Sequence, residues 1–314
     1  MKQPESSDPI VLAAWHEHRG HLLDVAYRML GSVSDAEDVV QDAFARLLRA
    51  DTGSIDDVRA WLVVVTSRLC LDQLRSARVR REAYVGPWLP EPVIAVDEQL
   101  LPEERITLDE SVRMALLLVL ERLSPAERVA FILHDVFEYS FDDISRVMGK
   151  TSAACRQLAS RARRHVNQEG AGLRGVIDPV EARRVADRFI AAATTGDLHG
   201  LLELLDPEAA GWTDSGGLVA APRDRLVGRQ RVAERFLWWL RTFEITLEPM
   251  PVNAAAGALA MQHGDLMAVL VFEIDSGRVA TIHSVANPEK LRHVKAALDR
   301  AAAQSGGAAG RLAH

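Results

Sequence analysis

The sequence is poor in cysteine, aromatic residues and long apolar runs, and each shortage excludes a class of protein. Among 314 residues, Cys70 and Cys155 are the only cysteines, so a disulfide-stabilised scaffold is excluded and a reducing compartment is favoured. No apolar run approaches the roughly 20 residues of a membrane helix. The polar first nine residues lack the basic-then-apolar order of a signal peptide. We therefore expect a soluble, cytoplasmic protein that contacts no membrane.

Charge is distributed very unevenly along the chain. The formal net charge is −7, which by itself argues against a nucleic-acid partner, since binding DNA depends on neutralising phosphates. Residues 87–144 carry 4 basic and 13 acidic side chains, whereas residues 145–166 carry 6 basic side chains and no acidic one. The net charge is thus an average over opposite segments, and a local DNA contact is compatible with it.

The first half of the chain has the apolar spacing of helices. Three helices are predicted within residues 1–82, the second opened by a capping box at Ser34 and Glu37. Four prolines mark residues 83–103 as a linker, and helices resume over residues 104–168. There, a capped helix start at Ser124, short helices and Gly149 are typical of a helix-turn-helix.

The second half mixes helices with strands. Asp178 and Pro179 open a helix, and five strand-like runs follow between residues 209 and 285, with a hairpin turn at residues 275–277. We expect an α+β domain over residues 178–303, with a curled antiparallel sheet enclosing a cone-like pocket. Residues 304–314, rich in Gly and Ala, are expected to be a disordered tail.

The basic helix predicted at residues 152–166 has the composition of a DNA-recognition helix. Small residues at its start, such as Ala153, let the backbone approach the major groove. Arg156, Gln157 and Ser160 can bond base edges, while the other basic side chains reach phosphates. A solvated amphipathic helix explains the arginines, but not the two capped helix starts around a glycine turn. The third helix is harder to interpret, because Trp61 can either stack on melted DNA or belong to the core.

Three segments between residues 35 and 166 resemble a known family. Residues 35–44 (DAEDVVQDAF) look like the polymerase-binding signature of extracytoplasmic-function sigma factors, and residues 60–75 resemble their −10 recognition and melting segment. Residues 123–166 are similar to sigma domain four, whose helix-turn-helix reads the −35 element. Leu69 departs from the pattern, because many members carry Asn there. The resemblance implies that residues 1–82 are sigma domain two and residues 104–168 are domain four.

The resemblance extends to a subgroup whose sigma core is fused to a SnoaL-like domain of the NTF2 fold. Residues 87–92 (PWLPEP) and 287–291 (NPEKL) look like two signatures of that subgroup, while residues 214–218 (DSGGL) match a third one only in part. In such proteins the extension is expected to regulate the sigma core in cis, without a separate anti-sigma factor.

These resemblances imply four groups of functional residues. For the −35 element they are Lys150, Thr151, Ser152, Ala154, Arg156, Gln157, Ser160, Arg161, Arg163 and Arg164. For the −10 element and melting they are Arg59, Trp61, Arg68, Asp72, Arg75, Arg78 and Arg80. For core polymerase they are Asp35, Glu37, Asp38, Gln41, Asp42 and Phe44. The regulatory group comprises Trp88, Leu89, Pro90, Glu91, Pro92, Asp214, Gly216, Gly217, Asn287, Pro288, Glu289, Lys290 and Leu291.

The sequence thus predicts a non-enzymatic sigma factor whose partners are promoter DNA and core RNA polymerase, through the clamp of the largest subunit and the flap. No cofactor or metal is indicated, and a small-molecule ligand in the C-terminal pocket stays open. One alternative is a ligand-responsive helix-turn-helix regulator. Another is an NTF2-fold enzyme with a DNA-binding appendage, in which Asp214, His263 and His283 line the cone. On the non-enzymatic interpretation, Trp212, Trp238 and Trp239 form core or an interdomain surface.

Overall fold

A computed structural model describes residues 9–82, 84–94, 106–169 and 178–309. Its residues form two compact units. Among the described residues, the first unit holds 9–82, 106–107 and 116–169, and the second holds 84–94, 108–115 and 178–309. In the part of the chain so described, no helix is both long and apolar enough to cross a bilayer.

The first unit begins with the helices α1 (Pro9–Leu30), α2 (Val33–Leu47) and α3 (Val58–Glu82). Gly31 ends α1 with a φ of +67°, a value that glycine adopts without strain. The predicted cap of α2 at Ser34 is wrong: Ser32 is the N-cap, and its hydroxyl accepts a bond from the Asp35 amide at 3.1 Å. Because α1 stops at Leu30, the chain is free to begin α2 two residues earlier than predicted.

The core of these three helices contains large apolar side chains. Tyr27, Phe44 and Leu62 are buried, and the ring of Trp15 meets the edge of Phe44 at 4.8 Å. Phe44 is only 1% exposed. Its predicted role as a polymerase contact is therefore corrected to a core role, since a side chain enclosed in its own domain offers no surface to a partner.

The first unit continues with α4 (Met114–Glu121), whose first two residues belong to the second unit. It is followed by α5 (Pro125–Phe131), a π-helical turn (Ile132–Val136), α6 (Phe141–Met148) and α7 (Ser152–Glu169). The capping box at Ser124 is present, with both reciprocal bonds to Glu127. Ser140 caps α6, and Gly149 ends it in the left-handed conformation. The helix-turn-helix predicted from the caps and the glycine is thus confirmed as α6, turn and α7.

Among the described residues, the C-terminal part of the second unit contains four helices and six strands. Their bounds are α8 (Pro179–Thr195), α9 (Leu198–Leu204), β1 (Leu205–Asp214), β2 (Leu226–Val227), α10 (Arg229–Thr242), β3 (Thr246–Pro249), β4 (Gly257–Gln262), β5 (Asp265–Asp275), β6 (Arg278–Val285) and α11 (Arg292–Ala309). This is the α+β architecture that the sequence predicts.

The sheet has the order β2-β1-β6-β5-β4-β3 and is mixed rather than wholly antiparallel. β1 runs parallel to β6, whereas the other pairs are antiparallel. The expectation of an antiparallel sheet is wrong at this pair, because no tight turn joins β1 to β6 and their relative direction is therefore not fixed locally. The predicted hairpin between β5 and β6 is confirmed, with positive φ at both Ser276 and Gly277.

One face of the sheet packs against α8 and α10. The ring of Phe189 on α8 lies 5.4 Å from Phe236 on α10 and 5.3 Å from Phe272 on β5. All three are buried within the principal core of this domain. Burying an aromatic side chain of this size contributes about 1.5–3 kcal/mol, so this contact fixes the two helices against the strands.

The boundaries of the compact units differ from those drawn on the sequence. Residues 84–94 of the predicted linker and residues 108–115 of the predicted domain four belong to the second unit. The helix expected from residue 104 begins only at Met114, after a 3-10 turn at Glu110–Val112. At the C-terminus, α11 extends to Ala309, six residues into the predicted tail, since alanine favours helix; residues 310–314 lie outside the described residues.

Candidate nucleic-acid interface

The exposed face of α7 forms a basic groove. Ala153, Arg156, Gln157, Ser160 and Arg164 line it together with Arg161. The opposite face of α7 is apolar: Cys155, Leu158, Ala159 and Ala162 are buried against the rest of the first unit. The groove therefore combines a small residue at its start, hydrogen-bonding side chains in the middle and three guanidinium groups, which is what reading a DNA groove requires.

The arginines of α7 differ in how they are held. Arg163 lies 2.7 Å from Asp135 and Arg161 lies 3.6 Å from Glu127, so carboxylates of the same unit engage both. Burial raises the pKa of Asp135, and Arg163 opposes that shift. The guanidinium of Arg156 lies over the Phe141 ring at 5.2 Å, a contact that leaves its edge free to donate hydrogen bonds. Arg156 is therefore better placed than Arg163 for base contacts.

The residues at the start of α7 mainly cap the helix. The Thr151 hydroxyl accepts a bond from the Ala154 amide at 3.2 Å, and the Ser152 hydroxyl donates to Asp142 at 2.5 Å. Lys150 is exposed beside Gly149. These bonds fix the turn between α6 and α7 and thereby the angle at which the groove is presented.

The predicted −10 residues are distributed along α3 and do not share one face, since Arg59 is separated from Arg68 by nine residues, or about half a turn of net rotation. Arg59, Arg68, Asp72 and Arg75 are exposed, while Trp61 is half-buried. Arg75 pairs with Asp72 at 3.1 Å. Trp61 thus retains an accessible part, although its burial also serves packing. Arg78 and Arg80 belong to the helical backbone of α3, but their side chains lie outside the described residues.

Arg68 links α3 to the helix-turn-helix within the first unit. Its Nη2 donates to the carbonyl of Arg146 at 2.6 Å and its Nε donates to the carbonyl of Val147 at 3.2 Å. These carbonyls end α6, where backbone acceptors have no partner inside the helix. A side chain predicted to contact DNA is therefore engaged by the protein itself.

Two buried or partly buried residues, Arg128 and His21, join α1 to α5 and to the turn that precedes α6. Arg128, 2% exposed, donates to the carbonyls of Met29 and Leu120, both at 2.8 Å, and pairs with Glu121 at 2.6 Å. Burial lowers its pKa to about 9. His21 shares a hydrogen bond of 2.8 Å with the Tyr139 hydroxyl. The first unit is thus a closed arrangement in which α1 and α3 hold α5 and α6.

The remaining predicted polymerase residues form an acidic patch on α2. Asp38, Gln41 and Asp42 are exposed, and Asp35 and Glu37 are half-buried beside them. These residues lie on the helix side opposite to the buried Val39, Val40 and Ala43. This surface suits a partner rich in arginine.

In the second unit, the three predicted regulatory signatures meet at Asp214, which belongs to one of them and is bonded by residues of the other two. Its carboxylate accepts bonds from the Tyr84 hydroxyl at 2.5 Å, the Leu89 amide at 2.8 Å and the Gly216 amide at 3.1 Å. Lys290 pairs with it at 2.6 Å. Asp214 is fully buried, so four donors stabilise a carboxylate that has lost its water.

Lys290 completes what we call the Asp214 cluster: Tyr84, Trp88, Leu89, Asp214 and Lys290. Its ammonium donates to the Leu89 carbonyl at 2.5 Å and lies 4.1 Å from the centre of the Trp88 ring. Burial raises the pKa of Tyr84, and the bond to Asp214 adds to that shift. The segment 84–94 is therefore attached to the C-terminal domain by a buried charge pair.

The other members of the regulatory group surround this cluster. Asn287 donates to the Tyr84 hydroxyl at 2.8 Å, and Gly216, with a φ of +58°, has no room for a Cβ beside Asn287 and Tyr84. The other residues of the group differ in their exposure. Four of them are buried, namely Pro90, Glu91, Pro92 and Leu291, and three are exposed, namely Gly217, Pro288 and Glu289.

Asn253, which the sequence analysis missed, holds a second stretch of the predicted linker. Its side chain accepts from the Val93 amide at 3.1 Å and donates to the Val112 carbonyl at 2.9 Å. Glu273 accepts from the Ala115 amide and pairs with Arg113 at 3.7 Å. Tyr84 was missed as well, although an aromatic residue beside a proline-rich signature is a usable signal.

The C-terminal domain encloses a cavity of about 680 Å³. Trp212, Trp238 and Trp239 all line it; Trp239 also packs against the principal core, as expected, whereas Trp238 is exposed and its predicted core role is wrong. The enzyme interpretation is not supported by the geometry. Asp214 is engaged in its own cluster, His263 pairs with Glu244 on an exposed turn, and His283 is buried outside the cavity lining.

Comparison with known proteins assigns two family models to the helical regions, and both models fall almost entirely within the first unit. Residues 14–80 match the family model of Sigma-70 region 2, and residues 113–166 match that of Sigma-70 region 4. The probable ECF RNA polymerase sigma factor SigI of Mycobacterium tuberculosis is 43% identical over 295 residues, which cover 93% of this chain and 98% of that protein. The ECF sigma factor SigJ of the same organism is 38% identical over 290 residues, or 87% of this chain and 90% of that protein.

The crystal structure of M. tuberculosis SigJ superposes with a TM-score of 0.72 at 35% identity, covering 90% of this chain and 98% of that one. The likeness therefore includes the C-terminal domain as well as both helical regions. A sigma factor acts with two partners, core RNA polymerase and promoter DNA. The chain belongs to the extracytoplasmic-function RNA polymerase sigma factors, which direct promoter-specific transcription initiation and are not enzymes.

Proposed function

We propose that α7 reads the upstream −35 element, with Arg156 and Gln157 as the base-contacting residues. The observation that carries this proposal is the groove in which both side chains stand exposed beside Ser160 and Arg164. Arg161 and Arg163 orient the helix through Glu127 and Asp135 and add positive charge. A contact of this kind discriminates between bases by about 1–3 kcal/mol.

Exposed residues of α3 are proposed to bind the −10 element. Arg59, Arg68 and Arg75 supply charge for the phosphates, and the accessible part of Trp61 offers a stacking surface for an unpaired base. Arg68 serves this role only after it leaves the carbonyls of Arg146 and Val147. DNA binding and opening of the first unit are therefore linked.

The acidic patch on α2 is proposed to dock on the clamp of the largest polymerase subunit, while the helix-turn-helix region meets the flap. Asp38, Gln41 and Asp42 are free of the domain core and available for charge-assisted bonds. This work takes place where polymerase works, in the cytoplasm.

Regulation in cis is proposed for the C-terminal domain. Support comes from the Asp214 cluster and from Asn253, which together bind residues 84–93 and 112 to that domain. These residues belong to the stretch that joins the two sigma regions, so their attachment limits how far the regions can separate. A separate anti-sigma factor is not required for such control, and the cavity gives a signal a place to act.

The experiment is transcription from a set of genomic promoters with purified core polymerase, comparing the full chain with a form lacking residues 178–314. We expect promoter-dependent transcripts from the full chain and altered activity for the shortened form, whose linker has lost its partners. Identical activity of the two forms would show that the domain is not regulatory, whereas the assignment of α7 and α3 would stand.

A further inference from the structure

The cavity of the C-terminal domain is lined by several aromatic side chains and is open at one side. Trp238, Phe243 and Met267 all line it and are 46%, 37% and 36% exposed. Large apolar side chains at such exposure mark a surface that something covers. Trp212 and Trp239 extend the same lining inward.

The polar groups of the cavity are few and specific. The guanidinium of Arg235 lies 4.0 Å from the ring centre of Trp238 at the opening, and the hydroxyls of Thr213 and Ser284 lie on the wall. Among the described residues that line the cavity there is no carboxylate, imidazole or thiol. Such a lining lacks the groups for proton transfer and fits recognition, with one fixed positive charge.

We infer that this cavity binds a flat aromatic small molecule that carries one anionic group, and that its binding changes the hold of the Asp214 cluster on residues 84–94. A volume of about 680 Å³ is that of a site for a drug-sized molecule. The tryptophans stack on the ring system, and Arg235 pairs with the anion at the opening. This inference rests on the proposed regulation in cis, and it identifies the aromatic anion as the ligand that controls the regulatory domain.

β1 contributes to both the cavity and the Asp214 cluster, and the chain that leaves β6 continues from the cavity wall to Asn287 and Lys290. On β1, Gly211, Trp212 and Thr213 line the cavity, and the next residue is Asp214. On β6, Ser284 lines the cavity just before the strand ends, and Asn287 follows three residues later.

The loop between β1 and β2 also serves both sites. It contributes Val219–Pro222 to the cavity, shortly after Gly216 and Gly217 beside the cluster. Only one residue, the exposed Leu218, separates Gly217 from Val219. A ligand that orders this loop therefore acts on Asp214 and its partners.

The test uses the full chain and 1-anilinonaphthalene-8-sulfonate, a flat aromatic anion, with N-phenyl-1-naphthylamine as its uncharged analogue. We expect saturable binding of one sulfonate probe per chain, with quenching of tryptophan fluorescence. Arg235→Gln should weaken it at least about fivefold, as loss of a charge-assisted bond implies, with little effect on the uncharged analogue. Ala220→Trp, at an exposed loop position of the lining, should block both probes.

The matched control is Arg231→Gln, which removes an exposed arginine from the same helix outside the cavity; it should leave both affinities unchanged. Probe binding that is insensitive to Arg235→Gln and Ala220→Trp, or equally sensitive to Arg231→Gln, would overturn the assignment of the site.

The coupling between the cavity and the Asp214 cluster is measured by amide hydrogen exchange of residues 84–94, with and without a saturating concentration of the sulfonate probe. The Leu89 amide, which donates to Asp214, should exchange at least about threefold more slowly or more quickly than in the free protein. Unchanged exchange with the cavity occupied would overturn the coupling. Both readouts are independent of polymerase, so failure here is distinguishable from failure of the proposed regulation in transcription.

Discussion

Replacing Lys290 by Met tests the buried charge pair that attaches residues 84–94 to the C-terminal domain. The substitution keeps the length of the side chain and removes the ammonium group. Asp214 then remains fully buried with three donors instead of four. Breaking a buried pair by removing one partner costs about 3–5 kcal/mol, and the lost contact with Trp88 acts in the same direction.

The assay is urea unfolding of the full chain followed by tryptophan fluorescence, because four of the six tryptophans (Trp88, Trp212, Trp238 and Trp239) belong to the second unit. At a typical slope of 1–3 kcal/mol per molar urea, a loss of about 4 kcal/mol lowers the midpoint of that unit by about 2 M. Lys295→Met is the control, since Lys295 pairs with Asp265 at 3.7 Å on the exposed surface and should cost less than about 1 kcal/mol. A midpoint for Lys290→Met equal to that of the control would refute the reasoning.

The remaining predictions concern the DNA-reading helix and the buried His283. Gln157→Ala and Arg156→Ala should each relax base preference at the −35 element by about 1–3 kcal/mol, measured by competition among single-base promoter variants; an unchanged preference would refute the assignment. Arg163→Ala should lower the thermal midpoint of the first unit, because Arg163 pairs with Asp135 at 2.7 Å, whereas Arg164→Ala should weaken holoenzyme binding to promoters without that loss; the reverse pattern would contradict the division of roles. Burial, and then Arg225, lowers the pKa of His283 to about 4. The unfolded chain therefore holds more protons than the folded one between pH 6.5 and 4, and the stability due to neutral His283 is complete above pH 6.5 and lost as pH falls to 4, by about 3 kcal/mol at most. In urea unfolding, the His283→Leu variant should lose correspondingly less stability than the unchanged protein as pH falls from 6.5 to 4. Parallel plots of stability against pH for the two proteins would contradict this prediction.

Local capping signals predicted much of the helical part of the fold. The box at Ser124, the cap at Ser140 and the stop at Gly149 depend on neighbours within four residues, and all three are present. The cap of α2 was misplaced by two residues because Ser32 and Ser34 offer the same chemistry, and the end of the preceding helix decides between them. The parallel pairing of β1 with β6 depends on contacts about seventy residues apart, which no local pattern encodes.

The candidate site was predictable where the motif itself carries the chemistry. The exposed face of α7 follows from helical spacing, so Arg156, Gln157 and Ser160 could be grouped from the sequence. The pairing of Arg163 with Asp135 and the capture of Arg68 by the end of α6 could not, because both are tertiary contacts. Likewise, three separate signatures share one buried carboxylate only after the C-terminal domain has folded.

The central claim is tested most directly by run-off transcription with purified core RNA polymerase on promoter fragments. The account predicts that this chain and core together yield discrete transcripts from specific promoters. It further predicts that Gln157→Ala changes the order of preference among promoters that differ only in the −35 element. Absence of promoter-dependent transcripts on every fragment, together with failure of the chain to bind core polymerase, would contradict it.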